Sequence, residues 1–350
     1  MTLLLSIYLA GMIDLRSDTI TKPTPQMLEA MMSAQVGDDV FGDDPTVNKL
    51  QEKIASMFGM EDALYCPSGT MTNQIAMRIH TRPQDEVICH KHSHVYLYEG
   101  GGMVYNSMIS PKLLHGDRGR ITADQIVQNI NPDDVHYPRT RLVVLENTMN
   151  KGGGSVYEMD EIKKISEVCE EQKLRLHLDG ARLFNALVKT KQKPKDYGKA
   201  FDTISICFSK GLGAPVGSVL LGSKAAIKEA KRVRKVLGGG MRQAGYLAAA
   251  CIYALDHHVE RLKEDHERAV KLEYILKDIS FIREILPVDT NIVICRLDRH
   301  QSEKWFVEQL KKQGVLAVPF GAGLVRFVTH LDFTDDHLGQ FEKAVRKISS

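Results

Sequence analysis

The chain has 350 residues, of which 43% are hydrophobic and 26% charged, and its formal net charge is +2. Those are globular proportions, with length for one large domain and a smaller one, and the near-neutral balance gives no support to nucleic-acid or membrane partners. Six widely spaced cysteines without a CxxC pair suit a reduced, cytoplasmic chain.

The N-terminal "MTLLLSIYLAG" is apolar but lacks a preceding basic residue, is too short to span a bilayer, and shows no obvious cleavage site. Residues 1–12 therefore read as an extension ahead of a domain that opens at Ile13. "DDPTVNKLQEKIASMF" predicts a helix, with Asp44 as cap, Pro45 in the first turn, and Val47, Leu50, Ile54 and Met57 at helical spacing. "SGTMTNQIAMRI" reads as a turn feeding a second helix. Short apolar runs follow at "DEVIC", "RLVVLEN", "LRLHLDG", "TISICFS" and "GSVLLG", with helical sequence such as "DEIKKISEVCEEQ" between several of them. Strands that are apolar throughout and alternate with helices predict an α/β fold with a mostly parallel sheet covered on both faces.

A basic helix, "KAAIKEAKRVRKVL", and one long helical region from Arg242 to Lys277 come next. After "PVDTN" the pattern becomes strand, helix, strand, helix ("NIVICRL", "SEKWFVEQLKKQG", "LVRFVTHL", "DDHLGQFEKAVRKI"), a compact C-terminal α+β unit. The boundary is placed in the long helix, giving a large domain over 13–265 and a small one over 266–350.

In such sheets ligands bind beyond the carboxyl ends of the strands. Glu146 with Asn147, Asp179, and Ser209 with Lys210 each follow an apolar run. Singly, such an Asp is more often a cap and such a Lys is solvated; three at neighbouring strand ends weaken that reading. Lys210 precedes its glycines in "SKGLGAPVG", the reverse of a P-loop, and no hydroxyl follows it. A desolvated lysine can instead attack a carbonyl, and its common partner is pyridoxal phosphate. That cofactor wants a carboxylate at its ring nitrogen, for which Asp179 is placed. It wants a helix N-terminus for its phosphate, which Ser68, Gly69 and Thr70 supply. It also wants a planar side chain over the ring, and "HKHSHVYLYEG" offers His90, His92 and His94. The same histidines could face a metal at i, i+2 spacing, but no cysteine or carboxylate stands at convincing ligand spacing, so no metal is assigned.

The strings "IDLRSDTITKPT", "VGDDVFGDDPTVNKLQ", "PSGTMTNQ", "HYPRTRLVVLENT", "HLDGARLFNA", "FSKGLGAPVGS", "LGGGMRQAG", "RLKEDHERA" and "VRFVTH" resemble the L-threonine aldolases, fold-type-I pyridoxal-phosphate enzymes. The resemblance runs in order from Ile13 to the C-terminus. It implies a seven-stranded sheet in the large domain, and cleavage of L-threonine, L-allo-threonine and related β-hydroxy-α-amino acids to glycine and an aldehyde. It implies that Lys210 carries the cofactor, Asp179 pairs with the ring nitrogen, and Arg182 lies near the ring oxygen and substrate. Ser68, Gly69 and Thr70 would bind phosphate, as would Arg242 from a neighbouring subunit, with Lys235 a weaker candidate. Ser17 and Arg326 would clamp the substrate carboxylate. His94 would stack on the ring, His136 would approach the substrate hydroxyl, and either could take its proton. A homo-oligomer, a dimer of dimers with shared sites, is implied as well. The chain departs from the family's usual pattern at Met149, commonly His, and at Phe41, commonly Tyr; both are expected to border the site. A β-eliminating lyase or aminotransferase remains a nearby alternative, and a catalytically silent relative a more distant one.

Overall fold

The computed structural model describes residues 11–349, so residues 1–10 of the expected extension lie outside it. The first predicted helix forms as α1 (Pro45–Phe58): Asp44 accepts from the backbone N–H of Thr46 and Val47, and Gly59, at φ 65°, ends it. The next is α2 (Gly69–His80), capped by the Ser68 hydroxyl, which accepts from Met71 N.

The strands in chain order are β1 (Ile13–Asp14), β2 (Asp62–Cys66), β3 (Asp85–His90), β4 (Ser110–Leu114), β5 (Arg139–Glu146), β6 (Arg175–Gly180), β7 (Thr203–Cys207), β8 (Ser218–Gly222), β9 (Ile282–Ile285), β10 (Ile292–Leu297), β11 (Val315–Leu316), β12 (Val318–Gly321) and β13 (Leu324–Val328). Seven of them form the central sheet in the order β2-β8-β7-β6-β5-β3-β4. β3 to β7 run parallel, and β8 lies antiparallel between β7 and β2. The predicted sheet is thus present, mostly parallel and seven-stranded. The sequence reading passed over two of its strands. β4, "SPKLL", carries a proline, which a central strand excludes, and β4 is an edge strand.

The long helical region is two helices, α3 (Gly245–His257) and α4 (Leu262–Lys277). At the break, His258 Nδ1 donates to Leu212 O at 2.7 Å and Arg261 pairs with Asp265. α4 then bridges two cores: Leu262 packs into the large one, while Ala269, Leu272 and Leu276 enter the C-terminal one. That second core lies against an antiparallel sheet, β12-β13-β10-β9. β1 pairs in parallel with β11, and Ile13 and Leu15 are buried with Phe306, Phe327 and Phe341. The first residues of the 13–265 span therefore pack in the C-terminal core, and residues 16–21 lead from there to the main sheet, where the Thr21 hydroxyl meets Lys210 O. Among the described residues no helix is long and apolar enough to cross a membrane.

Candidate active site

Parallel pairing sets Glu146 at the end of β5 opposite Asp179 at the end of β6, and Asp179 opposite Ser205 of β7. Lys210 follows β7 by three residues and is half-buried; its carbonyl accepts from the Thr21 hydroxyl at 3.1 Å and from Gly213 N at 2.8 Å. The three landmarks predicted from strand ends therefore lie at the same edge of the sheet.

Around Lys210 lies an excess of positive charge. Asp18, fully buried, accepts from Arg182 Nε at 2.8 Å and Nη2 at 2.6 Å. Burial alone would raise its pKa, but the charges of Arg182 and Lys210 and a bond from Asn291 hold it well below the usual carboxylate range. Arg326 reaches the same place from β13. Its Nη1 donates to Asn150 Oδ1 at 2.8 Å and its Nη2 to Arg16 O at 2.9 Å, while its Nε is buried without a hydrogen-bond partner. Burial and then the charge of Arg182 push its pKa down to about 10. One buried carboxylate thus faces three cations, two of them guanidinium groups, which suits an incoming anion that can be gripped in bidentate fashion. Ser17 adjoins this cluster, but its hydroxyl accepts from Thr19 N at 3.2 Å and caps a short 3-10 turn.

The second half of the site is a carboxylate network. Asp179 Oδ1 accepts from Ala181 N at 3.1 Å, and its Oδ2 accepts from Asn73 Nδ2 at 3.0 Å. Asn73 Nδ2 also donates to Glu99 Oε1 at 2.8 Å, and His94 Nδ1 bonds the same oxygen at 3.0 Å. The His94 backbone N–H donates to Glu146 Oε2 at 2.7 Å, and Asn150 N to its other oxygen at 2.9 Å. Burial disfavours the His94 cation, but the Glu99 bond and the charges of Asp179, Glu99 and Glu146 outweigh it, so its pKa rises. Burial, then the charge of Asp179, lifts Glu146 to about 7 despite its two N–H donors. His94, Glu99 and Asp179 bring their ligand atoms within 4.8 Å of one another, and Asn73 spans the two carboxylates.

Ser68, Gly69 and Thr70 open α2 at the same edge. A Cβ on Gly69 would lie 2.4 Å from Cys207 Sγ, so only glycine lets the helix start this close to the end of β7. The Ser218 hydroxyl is buried beside it without a partner. Lys235 and Arg242 flank a loop whose Gly239 packs on Met71, one residue past Thr70, yet Arg242 is exposed and pairs with Asp38 at 2.9 Å.

His136 is not brought to this cluster. It precedes β5, is largely exposed, and bonds Asp134, whereas the site lies at the opposite end of that eight-residue strand, more than roughly 20 Å away. His90 and His92 line a separate small cavity with His115 and Met149. Met149 is buried against Gly119, and Phe41 is exposed. Asp18, Asn73, Glu99 and Asn150 were given no role from sequence. Each supports another side chain across the fold, and nothing in its local string marks it.

A family model described as β-eliminating lyase matches residues 14–300. The chain is 43% identical over 330 residues to a low specificity L-threonine aldolase of Escherichia coli (strain K12), covering 94% of this chain and 97% of that one. The chain belongs to the L-threonine aldolase family. A probable low-specificity L-threonine aldolase 2 of Arabidopsis thaliana is 40% identical over 332 residues, covering 92% and 93%. In fold, this family member matches the threonine aldolase of Leishmania major with a TM-score of 0.83 at 22% identity, over 97% of this chain and all of that one.

Proposed function

We propose that the chain is a pyridoxal-phosphate-dependent L-threonine aldolase. It cleaves L-threonine, L-allo-threonine and related β-hydroxy-α-amino acids to glycine and an aldehyde, acetaldehyde in the case of threonine. It works in the cytoplasm as a homo-oligomer, a dimer of dimers with shared sites. What supports this reading is that Lys210, Asp179 and the α2 N-terminus lie at one edge of the sheet, beside the buried Arg182 and the half-buried Arg326.

The residues fit the cofactor. The close approach at Gly69 leaves the first N–H groups of a twelve-residue helix and the unpartnered Ser218 hydroxyl for a phosphate, with Ser68 and Thr70 beside them. Asp179 is the buried carboxylate for the ring nitrogen, and Lys210 is the amine for the carbonyl carbon. Pyridoxal phosphate, when bound, supplies an electron sink for the pair released as the Cα–Cβ bond breaks. The protein's own residues do the rest. Arg326, through its unpartnered Nε, and Arg182 hold the substrate carboxylate, with Ser17 at the rim. His94 would cover the ring. With Nδ1–H on Glu99, its Nε2 is the free lone pair that accepts the β-hydroxyl proton, directly or through a water. Glu99 then stabilises the resulting imidazolium, as an orienting carboxylate does for a catalytic histidine. His136 enters the reaction only if a neighbouring subunit supplies it, and Arg242, with Lys235, adds charge near the phosphate through the same assembly.

The test is product analysis with L-threonine, L-allo-threonine and L-serine. Equal amounts of glycine and aldehyde from threonine support the reading, and absence of aldehyde from all three overturns it. The family match gives β-elimination as the second reading, which a keto acid in place of glycine would establish.

A further inference from the structure

A line of hydrogen bonds, buried beyond its first link, runs between α2 and one face of the main sheet to Asp179, and donor and acceptor chemistry fixes its direction. The Asn73 atom facing Asp179 Oδ2 (3.0 Å) and Glu99 Oε1 (2.8 Å) must be the amide nitrogen, because ionised carboxylates only accept. Asn73 Oδ1 therefore faces His177 Nε2 at 3.1 Å, and Nε2 carries the proton. His177 is fully buried, and burial, then the neighbouring His80, push its pKa down to about 3, so its Nδ1 is a lone pair. Two atoms of Thr203 lie within reach of Nδ1, the hydroxyl at 2.9 Å and the carbonyl at 3.1 Å. Only the hydroxyl can donate. Having done so, it accepts from His80 Nε2 at 2.9 Å. Every link then points one way, from His80 through Thr203, His177 and Asn73 to Asp179 and Glu99.

The two Thr203 atoms pull in opposite senses. The carbonyl favours a proton on His177 Nδ1, which would set the Nε2 lone pair against Asn73 Oδ1. Either that repulsion stands, or the Asn73 amide turns over and sets its oxygen against two carboxylates. We propose that the Thr203 hydroxyl is a tautomer lock: by keeping His177 in the Nε2–H form it holds both Asn73 N–H bonds on Asp179 and Glu99, making Thr203, His177 and Asn73 positioning residues for the ring-nitrogen carboxylate and for His94. The inference rests on the role given to Asp179 above. Without the lock, Asp179 loses the Asn73 N–H that holds its Oδ2 in place, and the cofactor is held less well. Removing such supporting partners from metal ligands costs roughly ten- to a hundredfold in affinity, and a loss of that size is expected here.

Two measurements test this. Neutron diffraction from deuterium-exchanged crystals reads the protons directly: deuterons on Nε2 of His177 and His80 and on Thr203 Oγ1 support the lock, and a deuteron on His177 Nδ1 overturns it. Titration of apoprotein with pyridoxal phosphate gives the second. Thr203→Val, nearly isosteric, is expected to weaken binding roughly ten- to a hundredfold, whereas Thr203→Ser, which keeps the hydroxyl, stays within about threefold of the parent. Equal affinities for parent, Val and Ser variants overturn the proposal. Should Thr203→Val not fold, the neutron map alone decides. A parent protein that binds no pyridoxal phosphate refutes the functional reading instead, while the proton positions still report on the lock.

Discussion

Asp18→Asn is the sharpest perturbation of the positive cluster, because it removes a charge and almost no volume. Asp18 is fully buried, and it takes both hydrogen bonds from the similarly buried Arg182 and a weaker one, 3.3 Å, from Asn291. An asparagine can accept from one guanidinium N–H but must turn its own NH2 toward another donor. Removing one member of a buried ion pair costs about 3–5 kcal/mol. The one bond retained places the expected loss near the lower end, about 3 kcal/mol. At an unfolding entropy of about 2.1 cal/mol/K per residue, a chain this long melting as one unit would lose roughly 4 °C. The sign with pH follows from linkage. The folded pKa of Asp18 is depressed, so its stabilisation is complete above the unfolded value near 4 and fades as pH falls toward the lower folded value. Urea denaturation of parent and variant from pH 7 to pH 3 should show a gap that is constant above about pH 5 and narrows below it. An unchanged midpoint at pH 7, or a gap that ignores acidification, would refute the ion-pair account. In a double-mutant cycle with Arg182→Leu the two losses should be far from additive.

Arg326→Leu should weaken glycine and threonine binding about a hundredfold or more, the usual cost of stranding a desolvated charge, with Arg326→Lys intermediate; inhibition by glycine and the KM for threonine measure it. Borohydride treatment of cofactor-loaded protein should fix the cofactor to the peptide bearing Lys210, and Lys210→Ala should abolish both labelling and aldehyde release. The pH–rate profile should carry an inflection above the ordinary histidine value, in keeping with the raised pKa of His94. Glu99→Gln should move that inflection down and His94→Phe should remove it; persistence in His94→Phe would assign it elsewhere. Gly69→Ala, whose Cβ would meet Cys207 Sγ at 2.4 Å, should lose cofactor affinity, with partial recovery on adding Cys207→Ala.

What sequence could supply follows from what is local. The Asp44 cap, Pro45 and the apolar spacing of α1 are contained in sixteen residues, and the helix forms there. Lys210, Asp179 and Ser68 were legible because strand ends and helix starts are local events that parallel topology then gathers at one edge. β4 was missed because pairing, not composition, makes "SPKLL" a strand. The pair Asp18–Arg182 was out of reach, since 164 residues separate its members and only the crossing segment after β1 brings them together.

His136 is the expected site residue that this chain keeps apart from the rest, and strand direction alone shows why. In "HYPRTRLVVLEN" the histidine enters the strand and Glu146 leaves it, so within one chain they cannot share a site at the carboxyl edge. The string that marks the family joins two ends of the sheet. It leaves two possibilities for His136: a contribution to another subunit's site, or none. His136→Phe separates them. In mixed oligomers of His136→Phe with Lys210→Ala, subunits inactive for different reasons recover activity only if His136 is supplied across an interface. Recovery above the additive level would place it in a neighbour's site. Wild-type activity in pure His136→Phe would leave the β-hydroxyl proton to His94, whose imidazole Glu99 already orients within this chain.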